Sequence, residues 1–314
     1  MFSKSPYFAI VSLNASHVLS QGITTSTKRG LIDVATQNPS DDEIWIRKGS
    51  DLTWYYNYQA EPSPAYTSDA SFEFVPMLFG TPDQLTSADT PFLTSILNDI
   101  EAGTTRAYVL AYNEPDSPPS VGGSGISTDT AARVWMRNIA PLRDRGIKAG
   151  LPAVTGSPNG LKWLANFNQS CLALNPKGCE ADFVPVHWYG NFQGMVSHVD
   201  QVRATYPELP IWVTEFADPD DTLLNSQSFY NQSTAFLDQL RHCDRYSYFG
   251  SFRSDVSNIG PNAAFLNQKG QLTDIGSWYL GGGATGNVPN GATGASLQIW
   301  ILAWAHIGAI ILLW

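Results

Sequence analysis

The chain has 314 residues, with 18 Lys and Arg against 28 Asp and Glu, a formal charge of -10. That balance excludes a protein that tracks nucleic-acid phosphates as the default reading. With 43% hydrophobic and only 15% charged residues, wholesale disorder is excluded too. The aromatic content of 12%, with 10 Trp and 13 Tyr, suits a cleft that stacks flat ligands, although most such rings belong to a core.

In chain order, residues 1–29 come first. Lys4 followed by the apolar run Tyr7–Leu13 reads as a weak secretory signal, and the dibasic pair Lys28-Arg29 as a processing site. Eight short apolar runs, rich in β-branched and aromatic residues, then fall within residues 30–280: Gly30–Ala35, Leu52–Tyr56, Phe74–Leu78, Ala107–Tyr112, Ile147–Pro152, Phe183–Trp188, Ile211–Phe216 and Tyr246–Phe252. Several are continuously apolar, as strands buried on both faces are. Helical patterns lie between them at Ser127–Arg145, Gly160–Asn168, Gly194–Tyr206 and Ser226–His242. The early helices are poorly marked: Asp41–Lys48 is short and Glu61–Ala70 carries two prolines. Eight alternating units predict a single α/β catalytic domain built as a (β/α)8 TIM barrel, with an open doubly wound sheet as the alternative. No glycine-rich phosphate loop follows a strand.

Residues 281–296 form a linker of Gly, Ala, Thr and Asn, and 297–314 a charge-free apolar tail. Small residues, a polar spacer and a terminal apolar run match a GPI-anchor signal, with cleavage near Gly282, Gly283 or Ala284; a plain membrane helix is the alternative. The expected location is therefore outside the cell, at the wall or the outer membrane face. Of three cysteines, Cys171 and Cys179 close a short loop and are the first choice for a disulfide, with Cys243 left over. Asn14, Asn168 and Asn231 stand in glycosylation sequons. No cysteine or histidine spacing suggests zinc.

In a barrel of parallel strands the chemistry sits where the strands end. Asn113-Glu114 follows the fourth run and Glu215 the seventh, while His187-Trp188-Tyr189 closes the sixth and Trp54 to Asn57 the second. Two convergent carboxyl groups ringed by such residues suit glycoside hydrolysis. One protonates the departing oxygen, and the other attacks the sugar or activates water. Taken singly, each has a plainer reading: a solvated Glu, an Asn-Glu-Pro turn, a core histidine, a core Trp.

The ordered set is more specific. Lys28 to Gly30, Asp51 to Asn57, Phe74 to Gly80, Leu110 to Asp116, Asp182 to Gly190, Ile211 to Phe216 and Tyr246 to Gly250 resemble glycoside hydrolase family 128, the fungal alkali-sensitive-linkage type of endo-β-1,3-glucanase. The resemblance implies Glu114 as general acid/base and Glu215 as nucleophile of a retaining mechanism. It puts Asn113 by a sugar hydroxyl, His187, Trp188 and Tyr189 at the catalytic subsites with Tyr189 orienting Glu215, and Trp54 and Asn57 in the cleft. It implies a β-1,3-glucan partner, a monomer, and neither metal nor cofactor. Family members often carry Trp where this chain has Tyr58 and Phe79, which leaves chain-length preference open. A wall-anchored glucan-binding protein without turnover and a glucan transglycosidase are the alternative functions.

Overall fold

The computed structural model describes residues 24–69, 71–81 and 90–289. The signal-like run, the Asn14 sequon and the apolar tail 297–314 lie outside the described residues. Among these, no helix is long and apolar enough to cross a membrane.

Among the described residues there are nine strands: β1 (Gly30–Ile32), β2 (Trp54–Tyr56), β3 (Glu73–Phe74), β4 (Met77–Leu78), β5 (Tyr108–Asn113), β6 (Lys148–Ala153), β7 (Val184–Tyr189), β8 (Ile211–Ala217) and β9 (Cys243–Tyr248). Each expected run contributes one strand except Phe74–Leu78, which contributes parts of two. Pro76 has no N–H to donate to a ladder, so the run breaks around it. The strands pair in parallel as β1-β2-β3, β4-β5-β6 and β7-β8-β9. Isolated parallel bridges, Gly150 with Phe183 and Arg29 with Tyr246, stand between these sheets.

The helices are α1 (Pro91–Glu101), α2 (Thr128–Asn138), α3 (Ala140–Arg143), α4 (Pro158–Leu174), α5 (Phe192–Thr205), α6 (Leu223–Gln239) and α7 (Asp274–Tyr279). Ser127, Asn191, Thr222 and Thr273 each cap a helix by accepting a backbone N–H. The helix expected over Ser127–Arg145 divides into α2 and α3 because Pro141 cannot continue the backbone ladder. The poorly marked segments are short 3-10 turns, Pro39–Ile44 and Pro64–Tyr66. Sequence pattern missed α1 and α7.

Two apolar layers result from strand alternation. One packs the strands against the helices and includes Leu31, Tyr55, Val109, Val186, Val213 and Phe216. The other covers the opposite strand face and holds Ile32, Trp54, Tyr56, Leu110, Phe183 and Trp212. A Cβ on Gly30 would fall 2.1 Å from the Trp54 ring, so the closest approach of β1 to β2 needs glycine there.

The expected boundary at residue 29 is corrected by the packing. Arg29 is fully buried and donates to Asp51 (2.9 Å), to the Trp278 and Tyr279 carbonyls (3.0 and 3.1 Å), to Thr24 (3.0 Å) and to the Tyr246 hydroxyl (3.1 Å). Lys28 Nζ donates to the carbonyls of Leu237, Asp238 and Leu240, at the C-terminal end of α6 where a cation belongs. The dibasic pair is therefore part of the domain's structure, and cleavage after Arg29 would detach a buried cation from its partners. The linker also starts on the domain: Ser277 donates to the Gly283 carbonyl, and the Thr285 and Gly286 N–H groups bond Asp274. Cys171 is bonded to Cys179, and Cys243 is free and buried. Asn168 is exposed on α4, and Asn231 is half-buried on α6.

One buried acid gives a stability prediction. Burial, and then the charge of Asp42, push the Asp33 carboxyl up to about 6, against hydrogen bonds from Ser63 and Tyr66. A carboxyl raised in the folded state favours folding fully only below its unfolded value, and that contribution is lost as pH rises through about 6. Asp33→Asn should therefore gain ~1–2 kcal/mol at pH 7 and nothing near pH 3.5. Urea unfolding at the two pH values checks this, and equal effects at both would refute it.

Candidate active site

Two irregular strands deliver the carboxyl groups. In β8 the pairing with β7 slips by one residue, from Val186 opposite Val213 to His187 opposite Glu215. The extra residue, Thr214, turns Glu215 onto the face that carries His187, where strict alternation would have pointed it at the helices. In β5 the pairing with β6 shifts twice between Val109 and Asn113. Tyr112 and Glu114 there have φ of 39° and 40°, in the left-handed region that costs non-glycine residues on the order of 1–2 kcal/mol. The distortion is held by the Tyr112 hydroxyl, which donates to the Ala131 carbonyl at 2.7 Å, and by the Glu114 N–H, which donates to Ala153 at 2.7 Å.

His187 lies between the two carboxyl groups. Its Nδ1 is 3.0 Å from Glu114 Oε1 and 3.6 Å from Glu215 Oε2. One oxygen of Glu114, one of Glu215 and a His187 ring nitrogen all fall within 4.8 Å of each other. Among the described residues this is the one group with ligand-like spacing for a cation.

Glu215 is surrounded by phenols. Tyr189 donates to Oε2 at 2.6 Å and Tyr58 to Oε1 at 2.8 Å. The Tyr56 hydroxyl is 3.4 Å from Oε1 and donates chiefly to the Thr214 carbonyl at 2.9 Å. Burial pushes the Glu215 carboxyl above its usual range; His187 opposes that, Glu114 adds to it, and the Tyr189 and Tyr58 hydrogen bonds oppose it. At His187 burial works against the charged form, but the Glu215 and Glu114 carboxylates outweigh it and raise the imidazole. His187 Nε2 is buried without a partner, so the proton on Nδ1 is the one the surroundings stabilise.

The other expected residues divide. Asn113 is buried beside Glu114, its Nδ2 donating to the Gly122 carbonyl at 3.2 Å and its Oδ1 unpartnered. Three expectations are corrected. Trp54 is fully buried, tilted against Trp212 at 5.3 Å, with its N–H on the Lys28 carbonyl, so it packs the interior and touches no cleft. Trp188 points to the helix side of β7, stacked on His198 of α5 at 5.5 Å, because it alternates with His187 and Tyr189. Asn57 bonds its own turn, donating to the Glu61 carbonyl and accepting from the Gln59 N–H. Tyr56 and Tyr58 were missed, although period-two alternation from Trp54 puts both on the inward face.

Parallel strands that end in two convergent carboxyl groups are the arrangement that glycoside hydrolases use. A family model described as the glycosyl hydrolase catalytic core matches residues 33–279. The chain belongs to that family. Alkali-sensitive linkage protein 1 of Schizosaccharomyces pombe is 30% identical over 264 residues, 82% of this chain and 45% of that protein. The chain thus spans less than half the length of this curated relative. A family 128 (subgroup VI) exo-β-1,3-glucanase from Aureobasidium namibiae has a similar fold, with TM-score 0.66 and 22% identity over 83% of this chain and 97% of that one. A mutant family 128 (subgroup I) endo-β-1,3-glucanase from Amycolatopsis mediterranei, solved with laminarihexaose, gives TM-score 0.61 and 26% identity over 82% of this chain and 100% of that one.

Proposed function

We propose that the chain is a retaining β-1,3-glucanase acting on wall glucan, with its strands forming the eight staves of a (β/α)8 barrel, β3 and β4 sharing one. The observation that carries this is the spacing of the carboxyl groups, an oxygen of each within 4.8 Å and His187 beside both. Retaining enzymes hold their two carboxyl groups about 5–5.5 Å apart, whereas inverting ones leave about 6.5–9.5 Å for a water.

Glu114 protonates the glycosidic oxygen as the bond to the anomeric carbon breaks. Glu215 attacks that carbon from the other face and forms a glycosyl ester. Water then attacks the anomeric carbon, giving its proton to Glu114 as the bond from that carbon to the Glu215 oxygen breaks and the carboxylate is released. Two short phenolic hydrogen bonds fix the attacking carboxylate before substrate arrives, which lowers the reorganisation needed in the transition state. The unpartnered Oδ1 of Asn113 is free to accept from a sugar hydroxyl. The Cys171–Cys179 bridge supports a secreted setting, since such bonds persist in oxidising compartments.

Proton NMR of laminari-oligosaccharide hydrolysis tests the reading. The first-formed reducing end should be the β anomer. An α anomer appearing first would establish inversion, and tight binding with no new reducing ends would establish a glucan-binding protein. Product length separates the exo action of the Aureobasidium relative from the endo action of the Amycolatopsis one.

A further inference from the structure

We infer that Tyr58 is a positioning residue for Glu215, held over the carboxylate by the turn that follows β2. The inference rests on the reading of Glu215 as the attacking group. Each Glu215 oxygen receives one short phenolic hydrogen bond, from Tyr189 at 2.6 Å on Oε2 and from Tyr58 at 2.8 Å on Oε1. Two donors on opposite oxygens fix both the position and the rotation of the carboxylate plane, which one donor cannot do. Tyr56 does not supply this second bond, because its hydroxyl is 2.9 Å from the Thr214 carbonyl and 3.4 Å from Glu215.

The backbone is shaped for the contact. Tyr58 has φ of 63°, a conformation that a bulky residue adopts only where its surroundings enforce it. Asn57 enforces it by bonding both the Glu61 carbonyl (3.0 Å) and the Gln59 N–H (3.2 Å). The Gln59 carbonyl in turn accepts from Met77 N–H at 2.8 Å, tying the turn to β4. The Tyr58 ring is set edge-on against Tyr56 at 5.1 Å and Phe79 at 6.2 Å. Asn57 therefore acts through Tyr58 and not on sugar. The titratable groups facing Glu215 are Tyr56 and Tyr58 from β2 and its turn, Glu114 after β5, and His187 and Tyr189 on β7.

Tyr58→Phe keeps the ring contacts and removes the hydroxyl. Infrared titration of the Glu215 carboxylate, assigned by subtraction of the Glu215→Gln spectrum, should show its midpoint about one pH unit higher in the variant. The sign follows because a hydrogen bond to the ionised form favours ionisation, and its loss favours the acid. On laminarin, kcat should fall about tenfold or more while KM stays within about threefold, and the acid limb of kcat/KM should move up with the titration. Asn57→Ala should reproduce the loss in kcat alone, and should add nothing when combined with Tyr58→Phe. An unmoved titration with unchanged kcat, or a loss confined to KM, would overturn the inference and make Tyr58 a wall of the sugar cleft. The titration needs no substrate, so it decides the role of Tyr58 even if laminarin is not hydrolysed, a result that would count against the glucanase reading alone.

Discussion

Replacing Glu215 by Gln is expected to lower kcat/KM on laminarin by about 10⁴ or more, because an amide cannot form the glycosyl ester. The residue sits at the centre of the hydrogen-bonded cluster, with Tyr189, Tyr58 and His187 all directed at it. Gln keeps the volume, so the fold should persist, and a melting curve near that of the unmodified protein would show that the loss is chemical. Glu114→Gln should behave differently. On an aryl β-glucoside whose leaving group departs without a proton, much of the first step should survive, whereas Glu215→Gln should be inactive on both substrates. With Glu114→Ala, added azide should restore turnover of the aryl substrate, since azide attacks the ester without a general base. If the azide-rescued variant were the one at Glu215, the two roles would have to be exchanged.

The largest stability effect is expected at Arg29. Its guanidinium is fully buried, and its partners come from Thr24, Asp51, Tyr246 and the carbonyls of Trp278 and Tyr279. They join the start of the described chain to β9 and the end of α7. Arg29→Ala leaves Asp51 without its ion partner and takes one donor from each of the Trp278 and Tyr279 carbonyls, of which the first keeps the Gly281 N–H; removing one member of a buried pair costs about 3–5 kcal/mol. Urea unfolding of Arg29→Ala should show an unfolding free energy lowered by that amount, with Asp51→Asn losing less because the other acceptors of Arg29 remain. Equal stability of the Arg29 variant and the unmodified protein would mean that the knot contributes nothing. Proteolysis after Arg29 should destabilise the domain for the same reason, the opposite of what a processing site requires.

Most of the framework was legible in the residues. The apolar runs marked the strands because parallel strands covered on both faces are apolar throughout, a pattern strong enough to survive without tertiary information. The failures have local causes. α1 is the exception, since Phe92, Leu93, Ile96, Leu97 and Ile100 recur at helical spacing after Pro91 and mark the helix in the sequence itself. The run Phe74–Leu78 reads as one apolar strand, yet Pro76 divides it because a missing N–H outweighs hydrophobicity.

At the site, composition misled where direction mattered. Trp54 and Trp188 are the residue type that stacks sugars, but Trp54 faces the packed interior and the half-buried Trp188 lies against α5. Type says what a side chain can do, and the strand's alternation says which layer it enters. Tyr58 stood out in the sequence only as a departure bearing on chain length, and its contact with Glu215 was hidden for the converse reason: it lies past the end of β2, where alternation holds only because Asn57 folds the turn back.

The sequence by itself determined the strand-and-helix order, the small capped helices and the two acidic positions, since these depend on residues close together along the chain. Tertiary structure alone decided the working geometry. The slip at Thr214 and the positive φ at Glu114 turn both carboxyl groups to one point, and both depend on neighbouring strands. The upward shifts of the His187 imidazole and the Glu215 carboxyl were decided there too. They follow from burial and from separations of 3.0 and 3.6 Å between the imidazole and its two carboxyl neighbours, and Coulomb energy depends on separations that a linear sequence does not contain.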